Sequence, residues 1–283
     1  MTARRLDGRD LASHLRRDLQ HRVERLTDGD ADAAPRLAIL RSGSSEAAAL
    51  YAASLERAAR SVGVAPLLMA DAADQLLEVI GGLNGDPRVA GIVVAQPLSD
   101  PEHGRRLVEQ IDPAKDVDGA TPTNAGWLAR GEPAFVPATA LAVIAILEAY
   151  DIPLSGRRAV IIGRSAVVGR PVASLLVARD ATVVICHRST RNLARETRRA
   201  EILVAAAGVP GLVRPEMVNR SSVIIDCGIN AVEAGIVGDV EFGTVAPVVR
   251  AISPVPGGVG PVTPMMVLRQ TVESAERTAS ARR

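Results

Sequence analysis

The stretch RAVIIGRSAVVGRP, residues 158–171, decides the fold: an unbroken apolar strand, a glycine turn and the start of a helix. The alternation then repeats. Pro171 to Ala178 reads as a helix, ATVVIC (181–186) as a strand, Asn192 to Arg199 as a helix and EILVAAAG (201–208) as a strand. SSVIIDCG (221–228) is a further strand, and Val248 to Ile252 a last one before a Gly/Pro-rich run. Near-continuous Val/Ile runs between helices mean a parallel sheet covered on both faces. This half of the chain is therefore expected to be a Rossmann-type doubly wound sheet.

The N-terminal half alternates less regularly. Leu11, Leu15, Leu19, Val23 and Leu26 fall about one helical turn apart, which predicts an amphipathic helix from Gly8 to Leu26. Leu37 to Leu40 is a short strand, and an Ala-rich helix runs from Ala47 to Val62, stopping near Gly63. AGIVV (90–94) reads as a buried strand followed directly by Gln96-Pro97-Leu98, and KDVDGATPTNAG (115–126) as a loop. A strongly apolar helix from Thr139 to Tyr150 connects the halves, and the tail after Pro264 is a helix. The expectation is an α/β protein of two lobes. Residues 1–140, completed by a returning helix at 263–283, form an N-terminal α/β lobe; residues 141–262 form the Rossmann lobe.

Composition excludes several classes. With 47% hydrophobic residues among 283, the chain can build full cores. The 33 basic and 32 acidic residues nearly cancel, which leaves no electrostatic footprint for nucleic acid or an anionic membrane. No apolar run is long enough to span a bilayer, and MTARRLDGRD at the start lacks a signal-like stretch, so the expected compartment is the cytoplasm. Cys186 and Cys227 read as two free thiols, without a zinc pattern; no metal is expected. Lys115 is the only lysine, every other basic residue being arginine.

Gly163-Arg164-Ser165-Ala166-Val167-Val168-Gly169 lies where a doubly wound sheet binds a pyrophosphate, although Ser165 replaces the middle glycine of the usual G-x-G-x-x-G. An ordinary strand-to-helix turn would look similar. The following strand sharpens the reading. An NAD site places a carboxylate about 20 residues on, to hold the ribose 2′-hydroxyl. Here the strand ends in His187-Arg188-Ser189-Thr190. A guanidinium with hydroxyls suits a 2′-phosphate, so Arg164, Arg188 and Ser189 point to NADP. PVPGGVGP (254–261) is a rigid loop in which backbone approaches something closely, or a plain tight turn.

Together these pieces resemble a known family. Tyr51, KDVDG (115–119), N-A-G (124–126), GRSAVVGRP (163–171), IDCGIN (225–230), GDV (238–240) and PVPGGVGPVT (254–263) follow the order and spacing of the methylenetetrahydrofolate dehydrogenase/cyclohydrolase family. The resemblance covers almost the whole chain. It implies a tetrahydrofolate-type substrate in a cleft between the lobes and a homodimer formed through the Rossmann lobe. It also implies catalytic roles for Tyr51 and Asp118, cofactor contacts from Gly163, Arg164, Ser165, Gly169, Arg188, Ser189 and Ile229, and substrate contacts from Gly257, Gly258 and Pro261.

The departures fall on one side. The family's pattern resembles G-x-x-x-A-S-x-x-Y-x-x-x-K. Gly43, Ala47 and Tyr51 fit it, but Ala48 stands for the serine and Leu55 for the lysine. V-Q-L-P-L-P becomes Val94-Ala95-Gln96-Pro97-Leu98-Ser99, with Ala95 at the glutamine position, and P-C-T-P becomes Pro137-Ala138-Thr139-Ala140. Hydride transfer from a methylene bridge asks mainly for positioning. Hydrolysis of the methenyl product needs a general acid–base, the part that the resemblance gives to the lysine with the glutamine's help. Three readings follow: an NADP-dependent dehydrogenase without cyclohydrolase activity, an oxidoreductase redeployed to another one-carbon or imine substrate, and a non-catalytic nucleotide-binding paralogue.

Overall fold

The computed structural model describes residues 3–41, 45–70, 73–95, 100–233 and 235–281. Gly43, Gln96, Pro97, Leu98 and Ser99, on which part of the motif comparison rests, lie outside them. The chain divides into two compact units, one of Ser13–Ala138 with Pro264–Arg283, the other of Met1–Ala12 with Thr139–Thr263.

Strand β1 (Arg4–Arg5) and helix α1 (Gly8–Thr27) open the chain, and α1 buries Ala12, Leu19 and Val23 along one stripe. In the first unit β2 (Arg36–Arg41), α2 (Glu46–Ser61), β3 (Ala65–Ala70), α3 (Ala73–Gly85), β4 (Val89–Val94), α4 (Pro101–Glu109) and α5 (Pro122–Arg130) follow. The strands make a parallel sheet in the order β3-β2-β4. Every residue of β4 is buried, and Ala38, Leu40, Leu76, Ile80, Ile92 and Leu107 form the core around it. Strand β3 is at the edge, where Pro66 costs no ladder bond on the open side. Its half-exposed APLLMA has no clean apolar period, and sequence reading passes over it.

The expected loop at 115–126 is corrected in part. Its second half is the first turn of α5: Thr121 Oγ1 accepts from the N–H of Asn124 at 3.3 Å, Pro122 takes the position that needs no N–H, and Gly131 at φ 73° ends the helix. The first half is a loop tied by side chains. Asp116, fully buried, accepts from the N–H groups of Ala120 (3.0 Å) and Thr121 (2.8 Å) and from Asn124 Nδ2 (2.8 Å).

In the second unit α6 (Ala138–Ala149) leads into β5 (Arg158–Ile162), α7 (Gly169–Val177), β6 (Thr182–Cys186), α8 (Leu193–Thr197), β7 (Ile202–Ala205) and β8 (Val223–Asp226). A hairpin β9 (Asn230–Val232) and β10 (Gly235–Val237), α9 (Phe242–Val245), β11 (Ala251–Ile252) and α10 (Val259–Ala281) complete the chain. The sheet has six strands in the order β1-β11-β8-β7-β5-β6, every pairing parallel. Val160, Ile162, Leu203, Ala205 and Ile224 form its core. The expected α/β class and Rossmann-type sheet are thus present. Strand order reverses at β5, flanked by β6 on one side and β7 on the other, which is where such sheets open a ligand crevice.

Three boundaries differ from expectation. Strand β11 is two residues rather than Val248–Ile252, because α9 and a turn occupy the preceding segment. Helix α8 is shorter than Asn192–Arg199, since Asn192, at φ 52°, is its cap. Helix α10 starts at Val259, before Pro264, because Pro261 sits in the first turn, whose N–H groups have no intrahelical acceptor.

The first strand is held at its edge by Tyr150. Its hydroxyl accepts from the Asp7 N–H at 2.8 Å and donates to the Asp7 carbonyl at 3.0 Å, while the Arg4 guanidinium lies 4.9 Å over its ring.

Candidate functional site

Gly163 ends β5 with φ 122°, and a Cβ there would meet the Ala206 carbonyl oxygen at 2.1 Å. At Gly169 a Cβ would meet the Gly163 carbonyl oxygen at 2.2 Å. Only glycine lets the turn close this tightly onto β7 and onto itself. Between them Arg164, Ser165, Ala166 and Val167 are exposed, and Ser165 Oγ accepts from the N–H groups of Val168 (3.1 Å) and Gly169 (3.4 Å). So Ser165, in the middle-glycine position, acts locally by capping the first turn of α7. An open turn at the N-terminus of a nine-residue helix, at the sheet's switch point, fits a pyrophosphate.

At the end of β6, His187 and Thr190 fold into a turn. The His187 N–H donates to Thr190 Oγ1 at 2.8 Å and the Ser189 N–H to His187 Nδ1 at 3.2 Å. Arg188 and Ser189 project from this turn, exposed, on the β6 side of the switch point. Across the crevice, the loops after β7 and β8 carry Gly208 and Ile229, the latter 72% exposed. Sequence reading missed what fixes these loops, the buried carboxylates of Asp226 and Asp239; their signal lay in IDCGIN and GDV. Burial pushes the Asp226 carboxyl up to about 6, against the pull of three backbone N–H donors.

Gly257 and Gly258 are buried, and Pro261 half-buried. The close approach in this loop is to the chain's own backbone. The Gly8 N–H donates to the Gly257 carbonyl at 2.8 Å, and a Cβ on Gly8 would meet the Gly258 oxygen at 1.9 Å. Gly257 has φ 116°, and a Cβ there would lie 2.9 Å from Arg9 Nη2.

In the other unit, α2 turns Ala48, Ala52, Leu55 and Ala59 inward. Ala48 stands about one turn before Tyr51 and Leu55 about one turn after it, both fully buried, as is Ala95 just past β4. The Ala95 N–H stays paired with the Leu40 carbonyl at 2.8 Å. Tyr51 and Asp118 are electrostatically coupled. Burial, then the Asp118 charge, holds the Tyr51 phenol well above its ordinary value. Burial pushes the Asp118 carboxyl up to about 7, the Ala138 N–H opposing it at 3.2 Å and the charge of Asp116 adding to it. Tyr51 and Asp118 thus act on one another, and the buried side chains at positions 48, 55 and 95 carry no base.

Lys115 is not directed at this pair. Its ammonium donates to the carbonyls of Leu83 (2.9 Å) and Asp86 (2.7 Å), closing the C-terminal end of α3. Burial lowers its pKa, opposed by Asp112 and Asp86. A compact ammonium reaches both carbonyls, whereas a guanidinium would present a planar fork. Lys115→Met should lower stability by about 1–3 kcal/mol, the range for bonds to a charged group, with KM for any substrate unchanged. Thermal melting and steady-state kinetics together check this; a shifted KM at unchanged melting would reassign the residue to the site.

Comparison with known proteins agrees with this geometry. Residues 6–118 match the family model described as tetrahydrofolate dehydrogenase/cyclohydrolase, catalytic domain, and residues 137–279 match its NAD(P)-binding domain. The bifunctional protein FolD of Parafrankia sp. is 46% identical, over 96% of this chain and 99% of its own. The crystal structure of the bifunctional enzyme FolD from Campylobacter jejuni superposes with a TM-score of 0.91 at 39% identity, covering 96% of this chain and 98% of that one. The Trypanosoma brucei methylenetetrahydrofolate dehydrogenase-cyclohydrolase, complexed with NADP and an inhibitor, gives a TM-score of 0.93 at 32% identity over 99% of each chain. An open glycine turn at a helix N-terminus and a coupled Tyr51–Asp118 pair, with matches along both units, lead to one conclusion: the chain belongs to the tetrahydrofolate dehydrogenase/cyclohydrolase family.

Proposed function

We propose that this chain is an NADP-dependent 5,10-methylenetetrahydrofolate dehydrogenase of the cytoplasm whose cyclohydrolase step is lost or severely impaired. The observation that carries the reading is that fully buried, apolar Ala48, Leu55 and Ala95 stand at the positions of the family's serine, lysine and glutamine, while Tyr51 and Asp118 are retained. When bound, NADP supplies the acceptor for the hydride of the methylene bridge. The chain's residues bind and orient. The Tyr51 ring offers a face for the folate to stack on, and the Asp118 carboxyl an acceptor for the N–H groups of the pterin-like head. Gly163, Ser165 and Gly169 shape the pyrophosphate turn, Arg164, Arg188 and Ser189 receive the 2′-phosphate, and Ile229 covers the nicotinamide side. Gly257, Gly258 and Pro261 belong to the folate-binding set in this reading, through backbone. Hydride transfer takes no proton from the substrate, so the missing base does not hinder it.

Among the described residues no helix is long and apolar enough to cross a membrane. The reading includes a homodimer through the Rossmann unit. Strand β6 is an unpaired edge with Ile185 exposed, and Val177 of α7 is 59% exposed beside it. Light scattering that returned a monomer at micromolar concentration would remove this element.

Titration with tetrahydrofolate ligands and NADP, followed by an assay of hydride transfer, tests the whole. NADP binding without folate binding would favour a different imine substrate; binding without turnover would favour a non-catalytic protein. Arg188→Ala should weaken NADP by about 1–3 kcal/mol and leave NAD nearly untouched. Equal affinity of the unmodified protein for NAD and NADP would contradict the assignment.

A further inference from the structure

The tips of the loops that flank the nicotinamide half of the crevice carry Val209 and Ile229, 46% and 72% exposed, while Leu212 and Val213 further on pack into the sheet's core. What holds the tips is Asp239, fully buried just beyond β10. Its Oδ2 accepts from the N–H groups of Ala207 (2.6 Å) and Gly208 (2.9 Å), and its Oδ1 from the Val209 N–H (3.0 Å) and Asn230 Nδ2 (2.9 Å). Three consecutive N–H groups converging on one point form the kind of concavity that elsewhere binds a free anion. Here the anion is the chain's own side chain.

A second carboxylate anchors the first. The Asp239 N–H donates to Asp226 Oδ1 at 3.0 Å, the Gly228 N–H to the same oxygen at 2.8 Å, and the Val240 N–H to Oδ2 at 2.9 Å. Asp226 closes β8, so the loop after β7 and the loop after β8 are tied through two buried side chains. The glycines of both motifs follow from this. A Cβ on Gly238 would lie 1.9 Å from Asp226 Oδ2, and one on Gly228 would lie 2.4 Å from the Asp239 nitrogen. Both loops lie at the carboxyl ends of strands on the side of the switch point away from Arg188, the half that receives the nicotinamide when the adenosine lies by β6.

We propose that Asp239 is a positioning residue for the nicotinamide half of the cofactor, holding the 207–209 backbone and the Asn230 hairpin in the conformation that receives the ring. The inference rests on the NADP reading. It places part of the cost of ordering the site in the folded protein instead of in the binding event.

The test compares two ligands by calorimetric titration: NADP, and adenosine 2′,5′-bisphosphate, which has the adenosine end and no nicotinamide. Asp239→Asn keeps one acceptor oxygen and turns an amide N–H₂ toward N–H donors, so about half of the bonds are lost. NADP affinity should fall about tenfold or more, the equivalent of one charge-assisted bond, while the bisphosphate should change by less than about twofold. Asn230→Ala, which removes a single donor, should show a smaller effect of the same pattern and serves if Asp239→Asn does not fold. Hydrogen exchange should quicken at the amides of Ala207, Gly208 and Val209. Parallel weakening of both ligands, or no weakening of NADP, would overturn the positioning role while leaving NADP binding in place. Failure of the unmodified protein to bind either ligand would instead remove the NADP reading, and the proposal with it.

Discussion

Protein supplied with 5,10-methylenetetrahydrofolate and NADP should accumulate the methenyl product, whose absorbance then decays no faster than in buffer. The physical reason is the inventory at the centre. Hydrolysis must activate a water and move protons onto and off a tetrahedral adduct, steps to which a positioned acid–base contributes about 10²–10⁴-fold. Leu55, Ala48 and Ala95 are fully buried and offer nothing that titrates. Leu55→Lys alone should restore little, because an ammonium placed in that apolar pocket loses hydration and has no neighbour to aim it. The triple change Ala48→Ser, Leu55→Lys and Ala95→Gln should raise methenyl hydrolysis about 10²-fold or more over the parent, at some loss of stability. Hydrolysis at enzymatic rates by the unmodified protein would defeat the proposal and require another base.

The second large effect concerns pH. Burial and the charge of Asp116 push the Asp118 carboxyl up to about 7. Pterin-like N–H groups need an acceptor, so kcat/KM for the folate should rise with pH, about tenfold per unit below 7 and levelling above it. Stability should run the other way. A carboxyl whose folded pKa is raised favours the fold while protonated, and that contribution is lost as pH climbs from the ordinary carboxylate range through about 7. Asp118→Asn should flatten the Asp118 part of both profiles and lower kcat/KM at pH 8 by about 10-fold or more. Asp116 and Asp226, also raised, remain in the variant, so the difference between the two stability curves isolates Asp118. A flat activity profile in the parent between pH 6 and 8 would show that the carboxyl does not meet substrate.

The Rossmann half was legible because a strand buried on both faces writes itself as a Val/Ile run, and β5, β7 and β8 do so. Helices α1, α2 and α6 were legible to within about a residue or two at each end, by their apolar spacing. Strand β3 was not, since half its side chains face outward and a proline interrupts it. Helix α5 was hidden in a polar stretch although Thr121-Pro122 is a helix start in its own right. At the site, the glycines and arginines could be singled out by chemistry and spacing. What no spacing reveals is which buried polar group serves which backbone: Lys115 closes the end of a helix, and Asp226 and Asp239, within IDCGIN and GDV, organise two loops.

Strand β1 carries a consequence for how the molecule is made. Arg4 pairs with Ala251 and Arg5 with Ile252, so among the described residues the first strand closes the sheet against the last. The pairings among β5, β6, β7 and β8 span far shorter stretches of chain, so β1, with its two exposed arginines, is the strand that pairs late. Completion of the sheet is therefore a step of very high contact order, expected as a late, slow phase in refolding. Before that phase the β1 segment should be open to proteases, and its protection should appear as it pairs with β11.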